Sequence, residues 1–204
     1  MTTSGKSQVV LWGILVGVAS ISGPTVLAGQ EGSFSFQVRG GTSVPVLDFR
    51  DQDQGWDGGA DSGVSFAMGF NFPIPGPTGG YLGFSQHRFG CDSSTCPEGE
   101  KWVSTGFDVA VRFVVGTGRL RPWLQGGLHT QQLEARMWDG PEVAEVTSNV
   151  GFGFEAGGGL LVQIGPRMSL SPGLRFGSGK VPFSEHPALR VQYLIADLGL
   201  VLGF

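Results

Sequence analysis

The chain has 204 residues, 36 of them glycine, with 40% hydrophobic residues and a formal net charge of −4. This length accommodates one domain with a full core and is short for two. The apolar content excludes a disordered chain, the aperiodic glycines exclude a collagen-like repeat, and the negative charge gives a nucleic-acid partner no electrostatic support.

Residues 1–28 read as a secretory signal peptide. Lys6 is their only charge, an apolar stretch runs from Val9 to Ile21, Pro24 follows, and Val26-Leu27-Ala28 offers a cleavage site after Ala28. A membrane anchor helix is the competing reading. It is the weaker of the two, because the apolar run is shorter than the ~20 residues a spanning helix needs and Pro24 would break it. The mature chain is therefore expected to cover residues 29–204.

The mature part alternates apolar and other residues with period two, the signature of strands. The first rows are Phe34, Phe36 and Val38, then Val64, Phe66, Met68, Phe70 and Phe72. Residues 80–89 form a strand of ambiguous face, because Leu82 and Phe84 compete with Tyr81 and Phe89. The clearest row follows: Val103, Thr105, Phe107, Val109, Val111, Phe113 and Val115. Next come Leu120, Pro122, Leu124 and Leu128, then Phe152, Phe154, Ala156, Leu160, Val162 and Ile164. The last two rows run from Met168 to Phe176 and from Leu194 to Phe204. The fold class is thus all-β, with eight predicted strands. The connections alternate: 41–62, 90–101, 134–148 and 178–189 are long, whereas 73–79, 116–119 and 165–167 are short. Part of 41–49 extends the first strand. Short turns at one end and long loops at the other describe an eight-stranded antiparallel up-and-down transmembrane β-barrel, with the short turns and both termini on the periplasmic side.

A soluble barrel also alternates, with its apolar face inward. The second face of the strands decides between the two. It reads Gly151, Gly153, Glu155, Gly157, Gly159 in one strand and Ser104, Gly106, Asp108, Ala110, Arg112 in another. Small residues with a few isolated charges suit a narrow, filled lumen. The three lysines, Lys6, Lys101 and Lys180, all fall outside the predicted strands. Val or Phe at every other position over the 9–11 residues of a tilted strand suits lipid outside. Pro122 and Pro172 lie near short turns, where a lost ladder bond costs least.

The lumen face collects Arg39, Asp108, Arg112, Arg121, Glu155, Arg175 and Asp197. Eight strands enclose space for side chains or one small ligand, so these charges are read as a hydrogen-bonded plug; a polar path for a solute is the alternative. The turn 165–167 sets Ile164 opposite Met168. Counting outward, Gly157 faces Arg175 and Glu155 faces Gly177, which makes Glu155 and Arg175 diagonal neighbours able to pair. Cys91 and Cys96 share a polar stretch of an exported chain and are expected to form a disulfide closing a small loop. No metal or cofactor is expected. Zinc lacks ligands beside the cysteines, with only His87 near. The acidic run 51–61 departs from EF-hand spacing, since Gly55 takes a ligand place and Ser62 replaces the closing glutamate.

The terminal stretch Tyr193-Leu194-Ile195-Ala196-Asp197-Leu198-Gly199-Leu200-Val201-Leu202-Gly203-Phe204 ends on phenylalanine with apolar residues at every second position. It resembles the C-terminal signature of outer-membrane β-barrels. The stretches from Leu120 to Leu128 and from Gly157 to Val162 resemble turn-strand patterns of the small outer membrane protein β-barrel domain family, relatives of the OmpA-like and OmpX-like barrels. The resemblance covers the mature chain. It implies a Gram-negative outer-membrane location, contact with membrane lipid and lipopolysaccharide, passage by periplasmic chaperones, and Phe204 as the signal read by the barrel assembly machinery. It also implies a porin-like architecture without fixing a task. The first expectation is a non-enzymatic structural or surface-interaction role through the outer loops. The second is a narrow channel for small or apolar solutes. A lipid A-modifying enzyme is the third. Lipid A deacylase-type barrels use a His-x-Ser spacing, whereas Ser85-x-His87 has the reverse order, and His186 follows Ser184 and Glu185.

Overall fold

A computed structural model describes residues 34–50, 59–74, 78–91, 102–139, 142–184 and 187–204. The signal segment 1–28, Cys96, the run 51–58 and His186 lie outside the described residues, as does the side chain of Cys91. The expected disulfide and the signal cleavage therefore fall outside what is described.

Among the described residues there are nine strands: β1 (Ser35–Pro45), β2 (Ala60–Pro73), β3 (Thr78–Cys91), β4 (Trp102–Val114), β5 (Leu120–Asp139), β6 (Glu142–Thr147), β7 (Gly151–Gly165), β8 (Met168–Val181) and β9 (Leu189–Gly203). Eight of them close a barrel. Each pairs antiparallel with its neighbours, β1 with β9 completes one seam, and β4 with β5 completes the other. Closure leaves no open sheet edge, the condition for crossing lipid with strands. The ninth strand, β6, pairs only with the far end of β5, from Glu134 opposite Thr147 to Asp139 opposite Glu142.

That hairpin corrects the expected loop 134–148: the chain continues as a β-ribbon beyond the barrel wall. The loop 178–189 is also shorter than expected, because β8 runs to Val181 and β9 starts at Leu189. Lys180 consequently lies within a strand. In both places polar residues interrupt the apolar row, which hides a strand that has risen above the apolar belt. A short 3-10 turn, Leu47–Phe49, follows β1.

The β7–β8 register pairs Glu155 with Gly177 and Gly157 with Arg175, the register that the turn count requires. The turn itself differs. Gly165, not Ile164, stands opposite Met168, and a β-bulge between Gln163 and Gly165 absorbs the extra residue.

The alternating rows point outward. Val64, Phe70, Phe107, Val109, Leu124, Leu128, Phe152 and Leu174 are all more than half exposed. Such a continuous apolar outer belt on a closed barrel is a lipid-facing surface, so the barrel is transmembrane. The ambiguous strand β3 sends Leu82 and Phe84 outward and buries Tyr81 and Phe89 inside. Pro122 and Pro172 also face out, opposite Leu160 and Leu198, and the Pro122 carbonyl still accepts a hydrogen bond from Val115 N at 2.9 Å. At the turn end Phe204 N donates to Phe34 O at 3.0 Å, so the start of β1 and the finish of β9 lie side by side.

Candidate functional site: the barrel lumen

Inward-facing positions divide the lumen into two tiers. The tier toward the short turns is charged. Arg39, Asp108, Arg112, Arg121, Glu155, Arg175 and Asp197 are all buried there. Arg175 is the tightest node: its Nε donates to Asp197 Oδ2 at 2.7 Å and its Nη1 to Glu155 Oε1 at 3.2 Å. Arg39 stands 3.8 Å from Asp197, 3.9 Å from Glu155 and 3.9 Å from Asp108. Those are ion-pair distances, longer than hydrogen bonds. The Arg39 hydrogen bond goes from Nη2 to Tyr81 Oη at 3.3 Å. Asp108 accepts from Ser85 Oγ at 3.2 Å.

Arg112 joins through amides: its guanidinium donates to Gln125 Oε1 at 2.7 and 3.0 Å and to Gln37 Oε1 at 2.9 Å. Arg121 stands apart, its Nε without a partner among the described residues. Among the described residues four guanidiniums stand against three carboxylates in this tier, and two rings offset the excess of positive charge. The Arg39 and Arg112 guanidiniums lie over the Tyr81 ring at 5.2 and 5.9 Å, and those of Arg112 and Arg175 over the Trp123 ring at 4.9 and 4.8 Å. Cation and ring alternate along Arg39, Tyr81, Arg112, Trp123 and Arg175. Each contact contributes about 2 kcal/mol when desolvated.

Small residues make this tier possible. A Cβ at Gly173 would stand 2.6 Å from Trp123 Cζ2, and one at Gly157 would stand 2.7 Å from Arg175 Cγ. The alternation of the second face therefore reflects space needed by bulky partners on other strands of the wall.

The tier toward the long loops is apolar. Phe49, Phe89, Trp102, Leu133, Val181 and Val191 pack into one buried cluster with neighbouring side chains. Phe49 enters from above, edge-on to Phe89 at 5.0 Å between centroids and to Trp102 at 6.1 Å. The chain turns down to deliver it at Leu47, whose φ of 52° makes it the one positive-φ non-glycine residue among those described. A left-handed leucine costs about 1–2 kcal/mol, offset by burying the phenylalanine that follows.

Between the tiers lie His87, His129 and Tyr193. His87 Nδ1 shares a hydrogen bond with Ser65 Oγ at 2.9 Å, and its ring lies 4.8 Å from that of Tyr193. Ser85, the serine two residues before it, instead donates to Asp108. His87 is buried inside the lumen under the apolar tier. Among the described residues no group of three or more His, Cys, Asp or Glu is arranged to hold a metal ion.

Sequence alone did not place Tyr81, Gln37, Gln125 or His129 in this lumen. The last three were available from strict alternation, since each sits between two outward residues. Tyr81 was not, because apolar residues occupy both faces of β3.

No protein-family model matches the chain, and no curated protein matches it. Solved structures do. The structure of Neisserial surface protein A (NspA) superposes with a TM-score of 0.65 at 14% identity, covering 84% of this chain and 97% of that one. The N-terminal β-barrel domain of Pseudomonas aeruginosa OprF gives 0.51 at 11%, covering 86% and 100%. The outer membrane protein AlkL, solved in DMPC lipid bilayers, gives 0.51 at 12%, covering 91% and 97%. At these identities the likeness carries the fold: this chain has the architecture of small eight-stranded outer-membrane β-barrels.

Proposed function

We propose that the protein is an outer-membrane barrel with a closed, non-conducting bore and no enzymatic activity, serving a structural or surface-interaction role through its long loops. The observation that carries this reading is Arg39. From β1 it reaches ion-pair distance of Asp108 on β4 and Glu155 on β7, each three strands away around the wall in opposite directions. One side chain thus ties opposite sides of the bore, and the apolar tier seals the space above it. The long loops, carried on a rigid wall, are the segments free to vary and to meet partners.

The test is conductance in planar bilayers. The expected result is a silent membrane at protein levels that insert readily. Steady, stepwise conductance by the unmodified chain would overturn the closed-bore reading. Passage of small apolar solutes is the second reading, favoured by the apolar tier lined by Phe49, Phe89 and Trp102; a silent bilayer with protein-dependent uptake of a hydrocarbon would support it instead. Lipid A mass analysis from cells making the protein tests the absence of enzymatic activity, with unchanged lipid expected.

A further inference from the structure

The outer face where β8 meets β9 changes character in an ordered way. Paired across the two strands are Leu174 and Ala196, then Phe176 and Leu194, then Ser178 and Gln192, then Lys180 and Arg190. Reading toward the loop end, the pairs go from apolar to neutral polar to doubly cationic. The step from Phe176–Leu194 to Lys180–Arg190 is four residues, about 14 Å along a strand at ~3.4 Å per residue, or roughly 10 Å in height at a tilt near 40°. That sequence of chemistries and heights matches the passage from acyl chain through ester and sugar to phosphate in a lipid leaflet.

The top pair is unusual for a sheet. Like charges directly opposite on adjacent strands repel and destabilise. Lys180 is exposed, with no ion-pair partner among the described residues. Arg190 is 60% exposed in its side chain and pairs with Asp48 at 3.4 Å, itself half-exposed. Among the described residues, Lys180, Arg190 and Asp48 together carry one net positive charge. On the β7 side Phe152 faces Lys180 and is 73% exposed, an apolar flank beside the cationic pair.

We propose that Lys180 and Arg190 form a binding site for the phosphate group of an outer-leaflet lipid, with Ser178 and Gln192 meeting its polar neck and Phe176, Leu194 and Phe152 its chains. This rests on the reading of the barrel as an outer-membrane protein. The phosphate bridges the two cations and removes their repulsion, while the chains lie on the apolar belt below. The ligand is lipid-borne: a soluble phosphate would meet only the two cations, in water, without the chain contacts.

The test uses the full mature chain in phosphatidylcholine nanodiscs containing bisphosphorylated lipid A, with retained lipid counted by native mass spectrometry. Correct folding is checked by the shift in gel mobility on boiling. A cation near an anionic lipid surface is worth about a fivefold change each. Lys180→Gln and Arg190→Gln should each weaken retention about fivefold and the double variant about 30-fold, while Asp48→Asn should strengthen it. Arg88→Gln, on the distant strand β3, should leave this retention unchanged. Lipid A stripped of phosphates should bind the wild type and the double variant equally. Unchanged retention in the folded double variant would overturn the proposal, as would displacement of the lipid by equimolar inorganic phosphate. If the wild-type chain fails to enter the bilayer at all, the transmembrane reading fails and takes the site with it; insertion with an indifferent double variant removes the site alone.

Discussion

The two tiers of the lumen fill the same bore by opposite means. Toward the turns, buried charges satisfy one another through directed contacts, with Arg175 at 2.7 and 3.2 Å from its two carboxylates. Toward the loops, Leu133, Val181 and Val191 are fully buried with no charge among them. A directed network fails when one member is removed, because the partner left behind is a buried, unpaired charge. An apolar tier loses contact in proportion to the volume removed. The contrast between the tiers is therefore one of cooperativity, and it can be tested by substitution.

The largest effect is expected in the charged tier. Arg175→Gln should destabilise the barrel by about 3–5 kcal/mol, because Asp197 and Glu155 lose their nearest cation together. Adding Glu155→Gln should cost less than the sum of the single changes, and adding Asp197→Asn should recover more. Denaturant unfolding of the micelle-bound protein measures all four variants. Strict additivity would show that the network is not cooperative and would erase the distinction between the tiers.

Phe49→Ala should cost about 3 kcal/mol, the usual range for a buried aromatic. It should combine additively with Arg175→Gln, since independent sites add. It also removes the ring that rests on Phe89 and Trp102, so Trp102 fluorescence should become accessible to an aqueous quencher. A quencher reaching the tryptophans equally in both proteins would mean that Phe49 is not what seals the loop end.

The smallest effects separate lumen from lipid face. Gly173→Ala sets a methyl against the Trp123 ring, whose Cζ2 and Cη2 would lie 2.6 and 3.0 Å away. A rigid ring cannot yield cheaply, so a loss of about 1–3 kcal/mol is expected. Gly126 faces outward with nothing within 4 Å of an added Cβ. Gly126→Ala should be neutral or should stabilise by up to about 1 kcal/mol, since alanine loses less backbone freedom on folding. Equal losses at both glycines, read from paired thermal melts, would show that lumen space is not the reason for the small-residue face.

Much of this architecture was legible one strand at a time. The outward rows of β2, β4, β7 and β9 follow from alternation, because lipid accepts apolar side chains at every second position and nothing else there. The β7–β8 register followed from turn length, and the bulge at Gln163 changed only the pairing beside the turn. Three things did not follow. β3 kept its face hidden because Tyr81 and Phe89 are large and apolar yet point inward. The ribbon formed by β5 and β6 runs through a stretch whose sequence mixes polar and apolar residues without alternation, so it has no period to read. Lys180 sits in a strand that continues above the apolar belt, where the lipid signal stops although the backbone ladder does not.

The amino-acid sequence by itself determined the eight staves, the order of short and long connections and the face that meets lipid, since these depend on local alternation and turn composition. It also determined which charges face inward. Only the tertiary structure decided how those charges meet. Arg39 reaches strands β4 and β7 because closure of the barrel brings the two halves of the wall within one side-chain length. Tyr81 and Trp123 become cation partners because the same closure stacks β3 and β5 residues against arginines from β1, β4 and β8. The division into a charged and an apolar tier arises in the same way. Each strand contributes only a few lumen residues to a given level, and a level acquires its character once eight strands are wound together with a fixed stagger.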